Sequence, residues 1–321
     1  MMTQKSVIVA GATGYIGRAV VAAALARGYL VYAMVRCEKS AAFPEHPNLS
    51  VLQSKFSPIT GWNIQLPNAD AIISCLASRT GTPKDAHLVD YQMNAGLLKL
   101  MRPLIGTRFI LLSAICVQKP RLAFQFEKLR FENTLHTSGQ PYSIVRPTAY
   151  FKSLCGQIAR IRKGKSFLCF GDGTQTACTP ISERDLASYL IDCVTLPERH
   201  NKILPIGGPH PAITPVDQAN LIFDAFGKTP KIKYVSPKIF DIFQAVLAPL
   251  TPFSEWARNK RELMKIGQYY ATESMLVWNS DQEIYDITAT PQTGSDHLGD
   301  HFTNIARGLT VHVADANTQI Y

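Results

Sequence analysis

Apolar residues cluster along the first half of the chain in short blocks, with stretches between them in which apolar positions recur at helical spacing. The blocks end near Ala10, Val35, Gln53, Cys75, Ser113 and Arg146. Short, near-continuous apolar blocks predict strands buried on both faces. Helices between them predict a parallel sheet covered on both sides. Ligands of such sheets sit outside the carboxyl ends of the strands. The loops after Ala10, Val35, Cys75, Ser113 and Arg146 are therefore expected to line one cleft. Past residue 150 the pattern loosens. A helix over 151–163, a strand over Ser166–Phe170 and a helix from Glu183 to Leu196 are expected, followed by a Pro- and Gly-rich stretch from Pro205 to Pro215. Ile239 to Leu250 is apolar but broken by Asp241 and Gln244, and reads as an amphipathic core helix rather than a membrane anchor. From Gly308 no periodicity remains, and a mobile tail is expected.

The first block ends in glycines. Residues 7–17 read Val-Ile-Val-Ala-Gly-Ala-Thr-Gly-Tyr-Ile-Gly, and a helical pattern from Arg18 to Arg27 follows at once. A buried strand turning through glycines into a helix N-terminus holds a dinucleotide pyrophosphate. Gly11 is expected to allow the tight turn, Gly14 to let backbone approach the phosphates, and Gly17 to let helix and strand pack closely. Ala12, Thr13, Tyr15 and Ile16 share that turn and join the expected cofactor contacts. The second strand, Leu30–Val35, runs into Arg36 where a carboxylate would hold the ribose 2′-OH of NAD. Arginine there suits a 2′-phosphate, and Lys39 adds a second cation, so NADPH is expected. Leu76 and Ala77, after Cys75, and Pro147 and Thr148, after Arg146, complete the expected cofactor wall. The fold class is α/β, a Rossmann-type doubly wound parallel sheet. Residues 1–150 form its NADP-binding domain; 151–321 complete the sheet and form a smaller C-terminal substrate lobe.

Composition narrows the partners. Charged residues make up 18% of the 321, below the usual quarter. The comparatively apolar surface fits an apolar ligand or a peripheral membrane contact. Net charge is +9, but the clusters at 160–165 and 258–261 carry no interleaved aromatic platform. They read as solvated helix faces, with lipid contact as the second reading, and no nucleic-acid partner is expected. The seven cysteines are dispersed, without Cys-x-x-Cys, which argues against a disulfide framework, a zinc site or an iron–sulfur cluster. The eight histidines are isolated and suggest no metal. With neither a leader-like segment nor an apolar run approaching the ~18 residues of a membrane span, a cytoplasmic protein is expected, in peripheral membrane contact at most.

The glycine spacing, Gly-x-x-Gly-x-x-Gly, resembles extended and atypical short-chain dehydrogenase/reductases. Those enzymes pair a serine at the fifth strand's end with Tyr-x-x-x-Lys on the next helix, the tyrosine donating the proton. Here Ser113 ends the fifth strand and Lys128 stands in the lysine position, but Phe124 occupies the tyrosine slot. An alcohol or ketone dehydrogenase would lack its acid. Two options remain: a reductase of carbon–carbon double bonds, or a non-catalytic nucleotide-binding regulator of the NmrA type.

Seven further stretches bear on that choice. They are Ser74-Cys-Leu-Ala-Ser-Arg-Thr-Gly81, Leu112-Ser-Ala-Ile-Cys-Val-Gln-Lys-Pro120, Pro141-Tyr-Ser-Ile-Val-Arg-Pro-Thr-Ala149, Phe170-Gly-Asp-Gly173, Pro180-Ile-Ser-Glu183, Leu204-Pro-Ile-Gly-Gly-Pro209 and Tyr269-Tyr-Ala-Thr-Glu-Ser-Met-Leu276. Together, in order from about Ser6 to Ile305, they resemble the 3,8-divinyl (proto)chlorophyllide a 8-vinyl reductases of the NADPH-dependent, iron–sulfur-free type. The resemblance implies reduction of the C8 vinyl group of a tetrapyrrole to ethyl in chlorophyll or bacteriochlorophyll biosynthesis. Lys128 is then expected to anchor the nicotinamide ribose and relay a proton, and Ser113 to orient the site. A planar pigment with a propionate wants an aromatic slot and a cation. Phe124, Phe126, Tyr150, Phe151, Tyr269 and Tyr270 are the slot candidates; Arg79 and Lys152 are the cation candidates. Another atypical double-bond reductase and a pigment-protein assembly factor are the alternatives.

Overall fold

A computed structural model describes residues 4–36, 43–209 and 211–310. The expected second cation, Lys39, and the chain from residue 311 lie outside the described residues.

Strand β1 (Ser6–Ala10) leads through the glycine turn into helix α1 (Tyr15–Ala26), then β2 (Leu30–Val35) and β3 (Leu49–Gln53). A small antiparallel hairpin, β4 (Phe56–Ser57) with β5 (Gly61–Trp62), precedes β6 (Ala71–Ser74). A helical run follows as α2 (Pro83–Ala86), widened π-helical turns over His87–Met93, and α3 (Asn94–Met101). Next come β7 (Arg108–Leu112), α4 (Ala123–His136) and β8 (Tyr142–Pro147). Beyond residue 150 lie α5 (Ile158–Arg162), β9 (Phe167–Phe170), α6 (Glu183–Thr195), β10 (Ile203–Ile206), α7 (Pro215–Ala225) and β11 (Ile232–Val235). The chain continues through α8 (Ile239–Leu247), α9 (Glu255–Thr272), β12 (Val277–Asn279), β13 (Ile284–Asp286) and α10 (Leu298–Ala306).

Seven strands form one parallel sheet in the order β10-β8-β7-β6-β1-β2-β3. The order reverses direction at β1, which places the crevice of a doubly wound sheet beside the glycine turn. Its inner strands are apolar because both faces are covered. The edge strand β3, expected from its apolar block to be buried on both faces, has no buried residue, because among the described residues nothing pairs beyond it. Val7, Val9, Ile73 and Ile110 pack under α1 and α6, while Ile8, Ile72, Phe109 and Leu111 pack under α3 and α4. The last sheet strand, β10, comes from beyond residue 150. A separate apolar cluster of Phe151, Ile158, Phe167, Ile222 and Phe302 holds α5, α7, β9 and α10 together.

Two further expectations need correction. The helix over 151–163 is two pieces, a 3-10 turn at Phe151–Cys155 and α5. The break falls at Gly156-Gln157, where the Gln157 side chain leaves the helix to pair with both backbone groups of Leu168, at 2.7 and 2.8 Å. The helix of the 239–250 stretch is not core: of α8 only Phe240 is buried, while Ile242, Phe243, Val246 and Leu250 are 50–66% exposed.

Candidate active site

The glycine turn is shaped by contacts no side chain would fit. Gly11 has φ +76°, and a Cβ there would stand 2.8 Å from the Cys75 carbonyl oxygen. A Cβ on Gly17 would come within 2.1 Å of the Gly11 carbonyl oxygen, so the first turn of α1 lies directly against the loop. Gly14 caps α1 without a side chain, and the first turn carries no carboxylate. Unmet N–H groups and the helix dipole there favour an anion. Those features fit a dinucleotide pyrophosphate.

A cleft of about 1110 Å³ opens from this turn along the carboxyl ends of the strands. Gly11, Thr13, Gly14, Tyr15, Ile16 and Gly17 line its floor; Leu76, Ala77, Pro147 and Thr148 line its flank. Arg36 stands exposed at the end of β2 on its rim. Ala12 belongs to the same turn but is fully buried in the core beneath it. The Tyr15 hydroxyl donates to Glu183 at the start of α6, which ties the cofactor turn to the neighbouring helix on the same face of the sheet. Burial first, then that bond to a carboxylate, pushes the Tyr15 phenol up. Burial likewise raises the Cys75 thiol to about 12 and pushes up the Tyr150 phenol. These groups stay neutral at physiological pH, so the wall they form is uncharged.

The substrate-side expectations divide. Tyr150, Tyr270, Arg79 and Lys152 line the cleft. Tyr269 does not: it is 3% exposed, and its hydroxyl donates to the carbonyls of Cys116 at 2.9 Å and Lys119 at 3.1 Å. Phe151 lies in the cluster under α5, and Phe124 packs with Ile266 and Tyr269 behind the wall. Phe126 points outward. Side-chain direction decides these cases. On α4 and α9 neighbouring residues differ by about 100°, so only one of a Tyr-Tyr pair can face the cleft.

Lys128 and Ser113 sit one layer behind the wall. The Lys128 ammonium pairs with Asp90 at 3.0 Å, both side chains nearly closed to solvent. Asp90 also accepts from the Ser78 backbone N–H at 3.4 Å, so the pair reaches the cleft-lining loop. One Asp90 oxygen, Oδ2, is buried without a partner in the protein. Asp90 owes its position to the widened turns. There Asn94 donates to the carbonyls of Val89 and Asp90 and accepts from Ser74 at 2.5 Å. Gln125 fixes the start of α4 by accepting from the N–H of Arg121 and Leu122 and donating to Cys116. Ser113 departs from its expected orienting contact. It is 3% exposed and donates to Glu132, which in turn binds Arg146. Its hydroxyl faces the sheet–α4 interior, where it braces the β7 end rather than the cleft.

Sequence reasoning missed Asp90, though a lone carboxylate in the apolar run Leu88-Val-Asp-Tyr91 was a signal. It also missed Glu273, which anchors the lobe's return to the cleft. This carboxylate ends α9 and pairs with Lys119 at 2.8 Å and Arg121 at 3.1 Å. Among the described residues no three His, Cys, Asp or Glu side chains come together as metal ligands, and no helix is long and apolar enough to cross a membrane.

A parallel sheet with an anion-binding glycine turn beneath its crevice defines a nucleotide-dependent protein of the Rossmann class. In agreement, residues 11–197, more than half of the chain, match the NAD(P)H-binding family model. The chain belongs, within that class, to the divinyl chlorophyllide a 8-vinyl-reductase family. Its relative of that name from Cucumis sativus is 41% identical, with 94% of this chain and 76% of that protein covered. The Arabidopsis thaliana relative is 40% identical, with 94% and 77% covered. Both are described as chloroplastic. Among solved structures, the NADPH-dependent quinone oxidoreductase QOR2 of Escherichia coli superposes with a TM-score of 0.67 at 15% identity. That superposition covers 93% of this chain and 99% of the other, a likeness of fold.

Proposed function

We propose that this chain reduces the C8 vinyl group of a 3,8-divinyl chlorophyll precursor to ethyl, with NADPH as reductant. The observation that carries the reading is the shape and lining of a single cleft. It joins the anion-binding glycine turn to a largely apolar wall that also carries the cations Arg79 and Lys152, in a chain with phenylalanine at the sequence position of the acid that a ketone reductase needs. Bound at the turn, NADPH supplies a hydride. Arg36 on the rim holds the 2′-phosphate by a charge-assisted bond and sets the preference over NADH.

The remaining work belongs to the protein. A vinyl group conjugated to the macrocycle takes hydride at its terminal carbon because charge spreads into the ring, and its inner carbon takes a proton. Tyr150 and Tyr270 are phenols on the wall able to hold that proton, whereas the Tyr15 hydroxyl is committed to Glu183. Lys128 supplies positive charge on the nicotinamide-ribose side, positioned by Asp90. Ser113 acts as a positioning residue through Glu132 and Arg146. Arg79 or Lys152 meets the propionate. Most of the rate comes from holding the vinyl group in near-attack geometry.

Incubation of the protein with NADPH and 3,8-divinylchlorophyllide a tests this reading. A blue-shifted Soret band with a mass gain of two hydrogens is expected. An unchanged pigment in the presence of bound NADPH would refute it.

A further inference from the structure

The α8–α9 hairpin is firmly built yet presents its apolar face to solvent. Gln244 donates to Gln268 at 2.7 Å, and Gln268 donates to Asp241 at 2.8 Å, which locks the two helices together. Ile242, Phe243, Val246 and Leu250 are at least half exposed; at the tip, Phe253 is 90% and Trp256 62% exposed. A contiguous run of this kind exceeds the scattered apolar residues of an ordinary surface. Cations flank it along the chain. Between Lys231 and Lys265 seven lysines and arginines stand against three carboxylates, Asp241, Glu255 and Glu262, a net +4 of the chain's +9.

We propose that this hairpin docks on an anionic lipid surface, with Phe253 and Trp256 inserted among the acyl chains and the flanking cations on the headgroups. Apolar anchors ringed by lysine and arginine are what such a surface binds. A second copy of the chain fits poorly, because a twofold contact would set these cations against themselves. The hairpin's other end is at the cleft. Phe240 packs on the cleft residue Phe170 with ring centroids 4.9 Å apart, and Tyr270 and Ala271 line the cavity. The tip therefore stands about 20 Å along α9 from the cleft wall. Resting on the function proposed above, this arrangement would hold the cleft about 20 Å from the bilayer in which an apolar pigment collects. The docking surface itself does not depend on that function.

The test is flotation of the full chain with phosphatidylcholine vesicles and with mixed phosphatidylcholine–phosphatidylglycerol vesicles. The protein is expected to float with the mixed vesicles, not the neutral ones, and to be released by high salt. The double variant Phe253→Ser/Trp256→Ser should lower the bound fraction about tenfold or more. Lys260→Glu should weaken it, and Lys163→Glu, in the other basic cluster, should not. NADPH binding, measured on each variant, should be unchanged. Failure of the wild type to float with mixed vesicles would overturn the proposal, as would a double variant that floats like the wild type. A dimer that the double variant converts to monomer, without vesicle binding, would assign the face to a second copy instead. Pigment reduction assayed in detergent separates the two claims, since loss of turnover there leaves the flotation result standing.

Discussion

Lys128 on α4 and Asp90 in the π-helical turns meet as a buried ion pair of 3.0 Å, 38 positions apart in the chain and one residue layer behind the cleft. Removing one partner of such a pair leaves an uncompensated buried charge, at a cost of about 3–5 kcal/mol. Lys128→Ala and Asp90→Asn should both lower the unfolding midpoint in denaturant. The double variant Lys128→Met/Asp90→Leu should recover most of that stability, because it leaves no lone charge. Turnover should stay low in all three. If the double variant regains turnover with its stability, the pair is structural alone.

Gly17→Ala should be far more damaging than a helix alanine ordinarily is. Alanine usually stabilises a helix, yet here its Cβ would lie 2.1 Å from the Gly11 carbonyl oxygen. The loop must move, and with it the N–H groups that face the phosphates. Titration of NADPH by fluorescence should show affinity lost by an order of magnitude or more. A variant binding NADPH like the wild type would mean that the turn does not hold the pyrophosphate.

Arg36→Ala should weaken NADPH binding by roughly tenfold to a hundredfold, the worth of one charge-assisted bond, and leave NADH nearly untouched. The two Kd values, measured by calorimetry, give the ratio. Equal losses for both cofactors would remove Arg36 from phosphate recognition.

Glu273 ties the end of α9 to Lys119, Arg121 and Tyr285. Burial pushes its carboxyl up, but the hydrogen bonds from Lys119 and Tyr285 and the charges of Arg121 and Lys119 outweigh this, and its pKa falls below 4.5. A carboxylate with a depressed folded pKa adds stability that is full above the unfolded value and lost as pH falls through the folded one. Glu273→Gln should therefore destabilise the protein at neutral pH, and its difference from wild type should shrink below about pH 4.5. Melting curves across pH 3 to 7 check this; a difference independent of pH would contradict it.

The strands and the glycine turn were legible in the sequence because each rests on local pattern. Apolar blocks mark buried strands, and Gly17 fills a space only glycine fits. The site's second layer was less legible, because helix rotation decides it. Tyr269 and Tyr270 are adjacent, yet one donates to core carbonyls and the other faces the cleft. Ser113 carries the expected residue type at the expected strand end, but Glu132, 19 positions later, captures its hydroxyl. Asp90 becomes a partner of Lys128 only through the widened turns that Asn94 holds. The α8 stretch looked like core by its apolar content, and only its packing reveals the exposed face.

The most direct test of the central claim is single-turnover reduction of 3,8-divinylchlorophyllide a by the protein with NADPH deuterated at the transferable position, followed by mass spectrometry of the product. One deuterium at the terminal carbon of a new C8 ethyl group, with the second hydrogen drawn from solvent, is the result the account predicts. A product without the label, or a pigment left unreduced while NADPH is bound, would contradict it.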